Sequence, residues 1–313
     1  MQERKSREDK QFEQLVCQIV PKGKLLRTWE LKKGESTQIT AFEVALPNGQ
    51  TKKMVRRSWE QNQAPHIRLP LHAASEFKLL QQLQSCGGAA APRPLYLDQS
   101  GEIFSSPYVV LDYIEGKSAV SPASEADYLF QFATQLAKIH QCDARALDLS
   151  FLPQTTEIIA NYLRKPAIKL DESLNEVRIR DTLVEVWPLL QQNQPVLLHG
   201  DFWLGNTLWN NGQLVVAIDW EFAAVGDPLC DLAISRIEIL SEFGRDAMHT
   251  FTSHYSEMMN TLNFKNLPYW DLWAAILRSG YRLDKWFDDD NTLKTIRAKH
   301  RWFTDQVFEK LYV

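Results

Sequence analysis

What this 313-residue chain lacks narrows it first. Cysteine is scarce: Cys17, Cys86, Cys142 and Cys230 lie far apart, with neither the paired spacing of a metal site nor the density of a disulfide scaffold. They read as reduced thiols, as in a cytoplasmic protein. No run of 18 apolar residues occurs, so no membrane-spanning helix is expected. The opening MQERKSREDK is charged where a signal peptide would be apolar. Positive charge is not in excess either. Lys and Arg number 35 against 39 Asp and Glu, a formal net charge of −4, which does not suit a nucleic-acid-binding surface. Repeats and low-complexity tracts are missing too. What remains is a chain with 44% hydrophobic and 24% charged residues. That is enough for a packed core, in one large domain or two lobes.

The densest chemistry lies between Pro195 and Asp231, PVLLHGDFWLGNTLWNNGQLVVAIDWEFAAVGDPLCD. Val196 to Leu198 reads as a short buried strand, and His199 to Asn206 as a loop. Thr207 to Ile218 reads as a hairpin turning at Asn210, Asn211 and Gly212. A hairpin returns on itself, so Asn206 before it and Asp219 after it should lie close together, within reach of Asp201. Two carboxylates and an amide oxygen are hard ligands that suit Mg²⁺, an ion that keeps its waters and shares substrate phosphates. His-x-Asp-x-x-x-x-Asn followed by Asp after a hairpin is the layout used for phosphoryl transfer. In it Asp201 takes the proton of an acceptor hydroxyl, and Asn206 and Asp219 hold the metal.

LLHGDFWLGNTLW, AIDWE and GDPLCDLA resemble the core of the aminoglycoside phosphotransferase family of small-molecule kinases. The likeness is strong over residues 195–236 and weaker over most of the chain. Leu204 departs from it, standing where proline is common. The resemblance implies an α+β, protein-kinase-like two-lobe fold. A small β-rich N-lobe would span 1–112, with an N-terminal helix and a Glu-bearing helix. A larger, mainly helical C-lobe would span 113–313.

Read in order, residues 7–20 carry Phe12, Leu15, Val16 and Ile19 at helical spacing, and Pro21 ends that helix. Residues 25–57 read as β-structure, with a hairpin turn at Pro47 to Gln50. The loop holding Gly34, Ser36 and Thr37 could offer backbone N–H groups to phosphates, a role the resemblance strengthens. Kinases of this fold place a phosphate-gripping cation on the returning strand. By register this is Arg56, or Arg57 if the strand is shifted. In the helix at 71–85, Glu76 shares an apolar stripe with Leu79, Leu80 and Leu83. A carboxylate there is costly unless paired, which points to an Arg56–Glu76 ion pair. The lobes should meet near Asp112, where the resemblance puts the backbone of Asp112 and Ile114 against the base of the nucleotide.

Ser124 should cap a long helix running to Cys142, in which His140 reads as a packed core or helix-end histidine. Asp227, before Pro228, should cap a helix beginning at Leu229. The resemblance has Asp231 bracing the catalytic loop and His199 supporting it. Residues 236–313 read as helical and aromatic-rich. Asp284 and Asp288 to Asp290 read as an acidic surface loop, or else as an acidic wall of the acceptor site that would favour an amine-bearing acceptor. The expected function is Mg²⁺-dependent transfer of the γ-phosphoryl of ATP or GTP to a hydroxyl of a small molecule. Two alternatives stand beside it: a catalytically weak nucleotide-binding regulator of the same fold, and a metal-dependent hydrolase built on His199, Asp201 and Asp219.

Overall fold

A five-stranded antiparallel sheet and a set of helices make up the computed structural model of the chain. It describes residues 2–31, 37–59, 67–86, 89–118, 122–143, 146–166, 170–279 and 289–311. They fall into two compact units. The first comprises 1–66, 70–87 and 91–115; the second comprises 67–69, 88–90 and 116–313. After strand β5 the division falls at Glu115–Gly116, and two short stretches, 67–69 and 88–90, belong to the second unit.

The first unit runs α1 (Gln2–Ile19), β1 (Lys24–Glu30), β2 (Thr37–Ala45), β3 (Thr51–Trp59), α2 (Ala73–Leu83), β4 (Pro94–Asp98) and β5 (Tyr108–Asp112). Its sheet has the order β1-β2-β3-β5-β4. Phe12, Leu15 and Val16 of α1 join Phe42, Val44, Met54 and Tyr108 of the sheet in one buried cluster. This is the stripe whose helical spacing is visible in the sequence. The β2–β3 turn closes with the Leu46 N–H donating to Gln50 O at 2.8 Å.

Strand β3 corrects the expected ion pair. Glu76 is joined to Arg57, Nη1 to Oε1 at 2.5 Å with both side chains buried, and not to Arg56. Neighbouring residues of a strand point to opposite faces. Arg56 falls on the α1 face, its guanidinium 4.1 Å from the Phe104 ring centroid and its Nη2 donating to Gln38 at 3.1 Å. Arg57 falls on the other face, where α2 lies. A register one residue away exchanges the two, and the sequence carries nothing that fixes it.

The second unit holds α3 (Glu125–His140), α4 (Thr155–Arg164), α5 (Glu176–Val186), β6 (Val196–Leu198), β7 (Thr207–Asn210), β8 (Gln213–Ala217), β9 (Ala224–Gly226), α6 (Leu229–Phe243), α7 (Arg245–Met258), α8 (Leu267–Leu277) and a last helix, α9 (Asp290–Leu311). Ser124 caps α3, accepting from the Asp127 N–H at 3.3 Å. Helix α6 is buried on nearly every side over its first three turns, Asp231, Ser235 and Arg236 included, so its polar side chains must find partners inside. Its one cation, Arg236, makes a two-pronged pair with Asp271 of α8 at 3.0 and 3.1 Å. Among the described residues no helix is long and apolar enough to cross a membrane. Cys17 and Cys230 are free thiols. Cys86 and Cys142 are not free thiols, contrary to the reading of all four as reduced; cysteines this far apart leave no spacing signal.

Helix α9 carries a buried histidine, His300, whose Nε2 donates to Ala275 O at 3.0 Å. Burial lowers its pKa from the ordinary 6.5. The unfolded chain therefore binds a proton that the fold refuses, and stability is lost as pH falls through 6.5. Between pH 7.5 and 5.5 this one group should cost on the order of 1 kcal/mol. Buried His199 acts in the same direction. The melting temperature should drop over that interval, and drop less in His300→Gln. Equal drops in the two proteins would refute the assignment.

Candidate active site

The sequence 195–231 folds into a loop held between two small ladders. Strand β6 pairs with β9, a partner the sequence reading did not include, and β7 pairs with β8. The hairpin brings its two ends together as its length demands: the Ile218 N–H donates to Asn206 O at 2.8 Å. Asp219 follows with φ +67° and ψ +63°, a left-handed conformation that aspartate tolerates better than most residues. The turn at Gly200 is also left-handed, φ +79°, and a Cβ there would lie 1.9 Å from Phe222 O. Only glycine fits that approach.

Asp231 holds the loop from beneath. Fully buried at the start of α6, it accepts the His199 N–H at 2.7 Å and the Gly200 N–H at 2.9 Å. His140 Nε2 lies 3.3 Å from the same carboxylate, and its Nδ1 lies 2.6 Å from Tyr255 Oη. His199 is buried among aromatic rings. Its Nε2 donates to Ile218 O at 3.0 Å, and its Nδ1 accepts the Asp201 N–H at 3.3 Å. Burial lowers its pKa, so the ring is neutral, and both nitrogens are spent on backbone. A histidine so engaged is no metal ligand, which removes the support for the hydrolase reading. Asp227 sits apart from the loop. Its carboxylate caps α6 through the Leu229 N–H at 2.9 Å and accepts the Asn193 N–H at 2.9 Å.

Asp201 and Asn206 are directly joined. The Asn206 amide Nδ2 donates to both Asp201 O and Asp201 Oδ2 at 3.0 Å. Both partners are acceptors, so the amide orientation is determined, and Oδ1 is left facing away from Asp201. Among the described residues no donor reaches that oxygen. The other oxygen of Asp201, Oδ1, meets two arginines that the sequence reading missed. Arg278 Nη2 donates to it at 2.8 Å and Arg68 Nη2 at 3.3 Å. Burial pushes the Asp201 carboxyl up, but the Arg278 and Arg68 guanidiniums outweigh it and hold the carboxyl well below the usual carboxylate range. Arg68 also donates to Gly200 O and lies over the Phe222 ring at 4.4 Å. Arg278 binds Glu238 at 2.5 Å. The one sequence signal is that Arg278 is the lone cation of the mostly apolar stretch LPYWDLWAAILR, whose single carboxylate, Asp271, is taken by Arg236.

The other expected site residues divide. Gly34 and Ser36 lie outside the described residues. Thr37 begins β2 and is buried, its hydroxyl accepting from Arg57 Nε at 3.4 Å. Asp112 has spent its N–H on Arg93 O at 3.0 Å and its carboxylate on Lys52 at 2.8 Å. Ile114 lies just past β5, half-buried. Of the acidic wall, Asp284 and Asp288 lie outside the described residues, and Asp289 is occupied as a cap, accepting the Thr292 N–H at 2.7 Å.

Comparison with known proteins places the chain in a family. The family model described as the phosphotransferase enzyme family, APH, matches residues 27–263. The chain belongs to that family. Members are small-molecule kinases, and the two-lobe, protein-kinase-like α+β fold expected from the sequence is the fold observed. Among solved phosphotransferases, a thermostable mutant of aminoglycoside phosphotransferase APH(4)-Ia in ternary complex with ADP and hygromycin B superposes with a TM-score of 0.63. It is 17% identical, with 95% of this chain and 97% of that chain covered. The amicoumacin kinase hAmiN, in complex with AMP-PNP, Ca²⁺ and Ami, gives a TM-score of 0.64 at 13% identity, covering 97% and 96%. A curated relative, acyl-CoA dehydrogenase family member 10 of Mus musculus, is 24% identical over 172 residues. That is 51% of this phosphotransferase-family chain and 16% of the relative's own length.

Proposed function

We propose that this phosphotransferase moves the γ-phosphoryl group of ATP to a hydroxyl of a small molecule, with Mg²⁺ at Asn206 and Asp219 and with Asp201 as the base. The observation that carries the reading is the Asn206 amide. Its nitrogen is locked to Asp201 while its oxygen faces away, at the end of a hairpin whose other end is Asp219. Among the described residues no three His, Cys, Asp or Glu side chains gather into a metal cage. A site of one amide oxygen and one carboxylate suits Mg²⁺, which takes its remaining ligands from water and phosphate. Bound there, the ion would neutralise charge on the phosphates. The chain's own part is positioning and electrostatics: Asp231 fixes the loop backbone, His199 ties Asp201 to Ile218, and Asp201 receives the acceptor's proton.

Arg57, braced by Glu76, takes the phosphate-gripping role first assigned to Arg56. The loop of Gly34, Ser36 and Thr37 and the backbone at Ile114 are assigned to the nucleotide. Asp112, its N–H already spent, is left with its carbonyl. The ADP and AMP-PNP held by the two structural neighbours support an adenine nucleotide as donor, and their hygromycin B and Ami support a small-molecule acceptor. The test is nucleotide consumption by the full chain with Mg²⁺, with ATP and GTP run in parallel against amino alcohols, hydroxy acids, sugars and aminoglycosides. Turnover with an acceptor that vanishes in Asp201→Ala establishes the reaction. A melting temperature indifferent to both Mg-nucleotides would refute it. A shift without turnover would favour the regulator.

A further inference from the structure

Helix α6 meets the catalytic loop along one face. Asp231, Ser235 and Glu238 follow at intervals of four and three residues, the spacing that puts side chains on one side of a helix. Asp231 holds the N–H groups of His199 and Gly200. One turn on, Ser235 Oγ donates to Phe202 O at 2.8 Å. Asp201 lies between these two grips, and the next polar residue of the stripe reaches it through an arginine. Glu238 accepts from Arg278 Nε at 2.5 Å, and Arg278 Nη2 donates to Asp201 Oδ1 at 2.8 Å. The helix thus fixes the backbone on both sides of Asp201 directly, and its carboxylate by one relay.

A carboxylate offers about four lone-pair sites, two on each oxygen. Those of Asp201 Oδ1 are filled by Arg278 and Arg68. Oδ2 carries one bond, from Asn206 Nδ2 at 3.0 Å, and among the described residues no second side chain donates to it. Resting on the phosphotransfer reading above, we infer that Arg278 and Glu238 are positioning residues for the transfer: they keep Oδ1 filled, so that the acceptor's hydroxyl meets Oδ2, on the Asn206 side. The proton count agrees. The acceptor O–H bond breaks as its oxygen bonds to the γ-phosphorus, the bridging oxygen leaves with ADP, and the proton passes to Oδ2. Oδ1 is then the carbonyl oxygen of the acid and goes on accepting from both guanidiniums. A proton on Oδ1 would instead set an O–H against two N–H donors, in a site with little water to relieve them. A tie between α6 and α8 for stability alone is already supplied by the Arg236–Asp271 pair, which makes no bond to the loop.

The test takes that second pair as its control. The full chain with Mg-ATP is assayed by ADP release, with water as the acceptor and with any small molecule that gives turnover, well below the melting temperature of each variant. Arg278→Ala and Glu238→Ala should lower kcat by about tenfold to a hundredfold, with the ATP KM nearly unmoved. Arg278→Lys, which keeps a donor within reach of Oδ1, should recover part of the loss. Asp271→Asn should lower the melting temperature and leave kcat at the wild-type value. Crystals grown with Mg-AMP-PNP give a reading that needs no acceptor. In the wild type an ordered water should stand on Oδ2 and none on Oδ1; in Glu238→Ala the Asp201 carboxylate should turn, or admit a water at Oδ1. If Arg278→Ala does not fold, Glu238→Ala decides, its side chain being 21% exposed. An Asp201 carboxylate that stays as it is in Glu238→Ala, or a fall in kcat that Asp271→Asn matches, overturns the inference and leaves the kinase standing. A wild-type melting temperature that Mg-ATP does not shift overturns the kinase reading itself, and the inference with it.

Discussion

Replacing Asp201 by asparagine should abolish turnover and also weaken the hold on Mg-nucleotide, which replacing it by alanine should do far less. Loss of the base costs about 10²–10⁴-fold in rate in either variant, or roughly 3–5 kcal/mol of barrier. The difference lies in Asn206. In the native site its Nδ2 donates to both Asp201 O and Asp201 Oδ2. An amide at 201 must offer acceptors to Arg278 and Arg68, so its oxygen stays with them and its NH₂ turns to the Asn206 NH₂. Two donors then face each other in a site with little water. The simplest relief is for Asn206 to flip, which sends its nitrogen where the metal ligand should be. Alanine leaves the backbone acceptor, Asp201 O, in place, and Asn206 keeps its orientation. The measurement is the melting shift on adding Mg-ATP. It should be near wild type in Asp201→Ala and clearly smaller in Asp201→Asn. Equal shifts would mean that Asn206 does not take its orientation from Asp201.

The same pair shows why part of this site was legible in sequence and part was not. Asp201, Asn206 and Asp219 belong to one hairpin, and a hairpin's geometry follows from its length and turn residues. Their closeness could be deduced, and the Ile218–Asn206 hydrogen bond is its physical form. The elements of the first unit were readable for a similar reason: the α1 stripe and the β2–β3 turn are local patterns. The order of the sheet, with β5 between β3 and β4, is not local. Nor is the face on which Arg56 or Arg57 emerges, because a strand of Met, Val, Arg, Arg and Ser has no alternation to fix it. Arg68 and Arg278 lie 133 and 77 residues from Asp201. Charged residues beside a loop and at a helix end are ordinary surface features, and only tertiary structure turns them inward. The strand β9, three residues long, is specified by its partner β6 more than by its own composition.

Asp231 is where local and tertiary constraint meet, and its removal should have the second large effect. Asp231→Ala leaves the buried N–H groups of His199 and Gly200 without an acceptor. At about 1–3 kcal/mol for each buried unsatisfied group, the cost is roughly 2–6 kcal/mol, enough to lower the melting temperature by about 10 °C in a chain of this size. Stability alone would not show that Asp231 acts on the catalytic loop, since removal of any buried carboxylate that satisfies two N–H groups costs as much. Asp227 supplies the control. It too is buried at the head of α6 and carries backbone N–H groups, those of Leu229 and Asn193, but neither belongs to the catalytic loop. Asp227→Ala should therefore destabilise while each folded molecule keeps its turnover. Asp231→Ala, assayed well below its melting temperature, should lose turnover per folded molecule as well, because Gly200 and Asp201 are no longer held against Asn206. If both variants kept full activity when folded, the clamp would be a matter of stability only, and the position of Asp201 would have to be set by Arg68 and Arg278 alone.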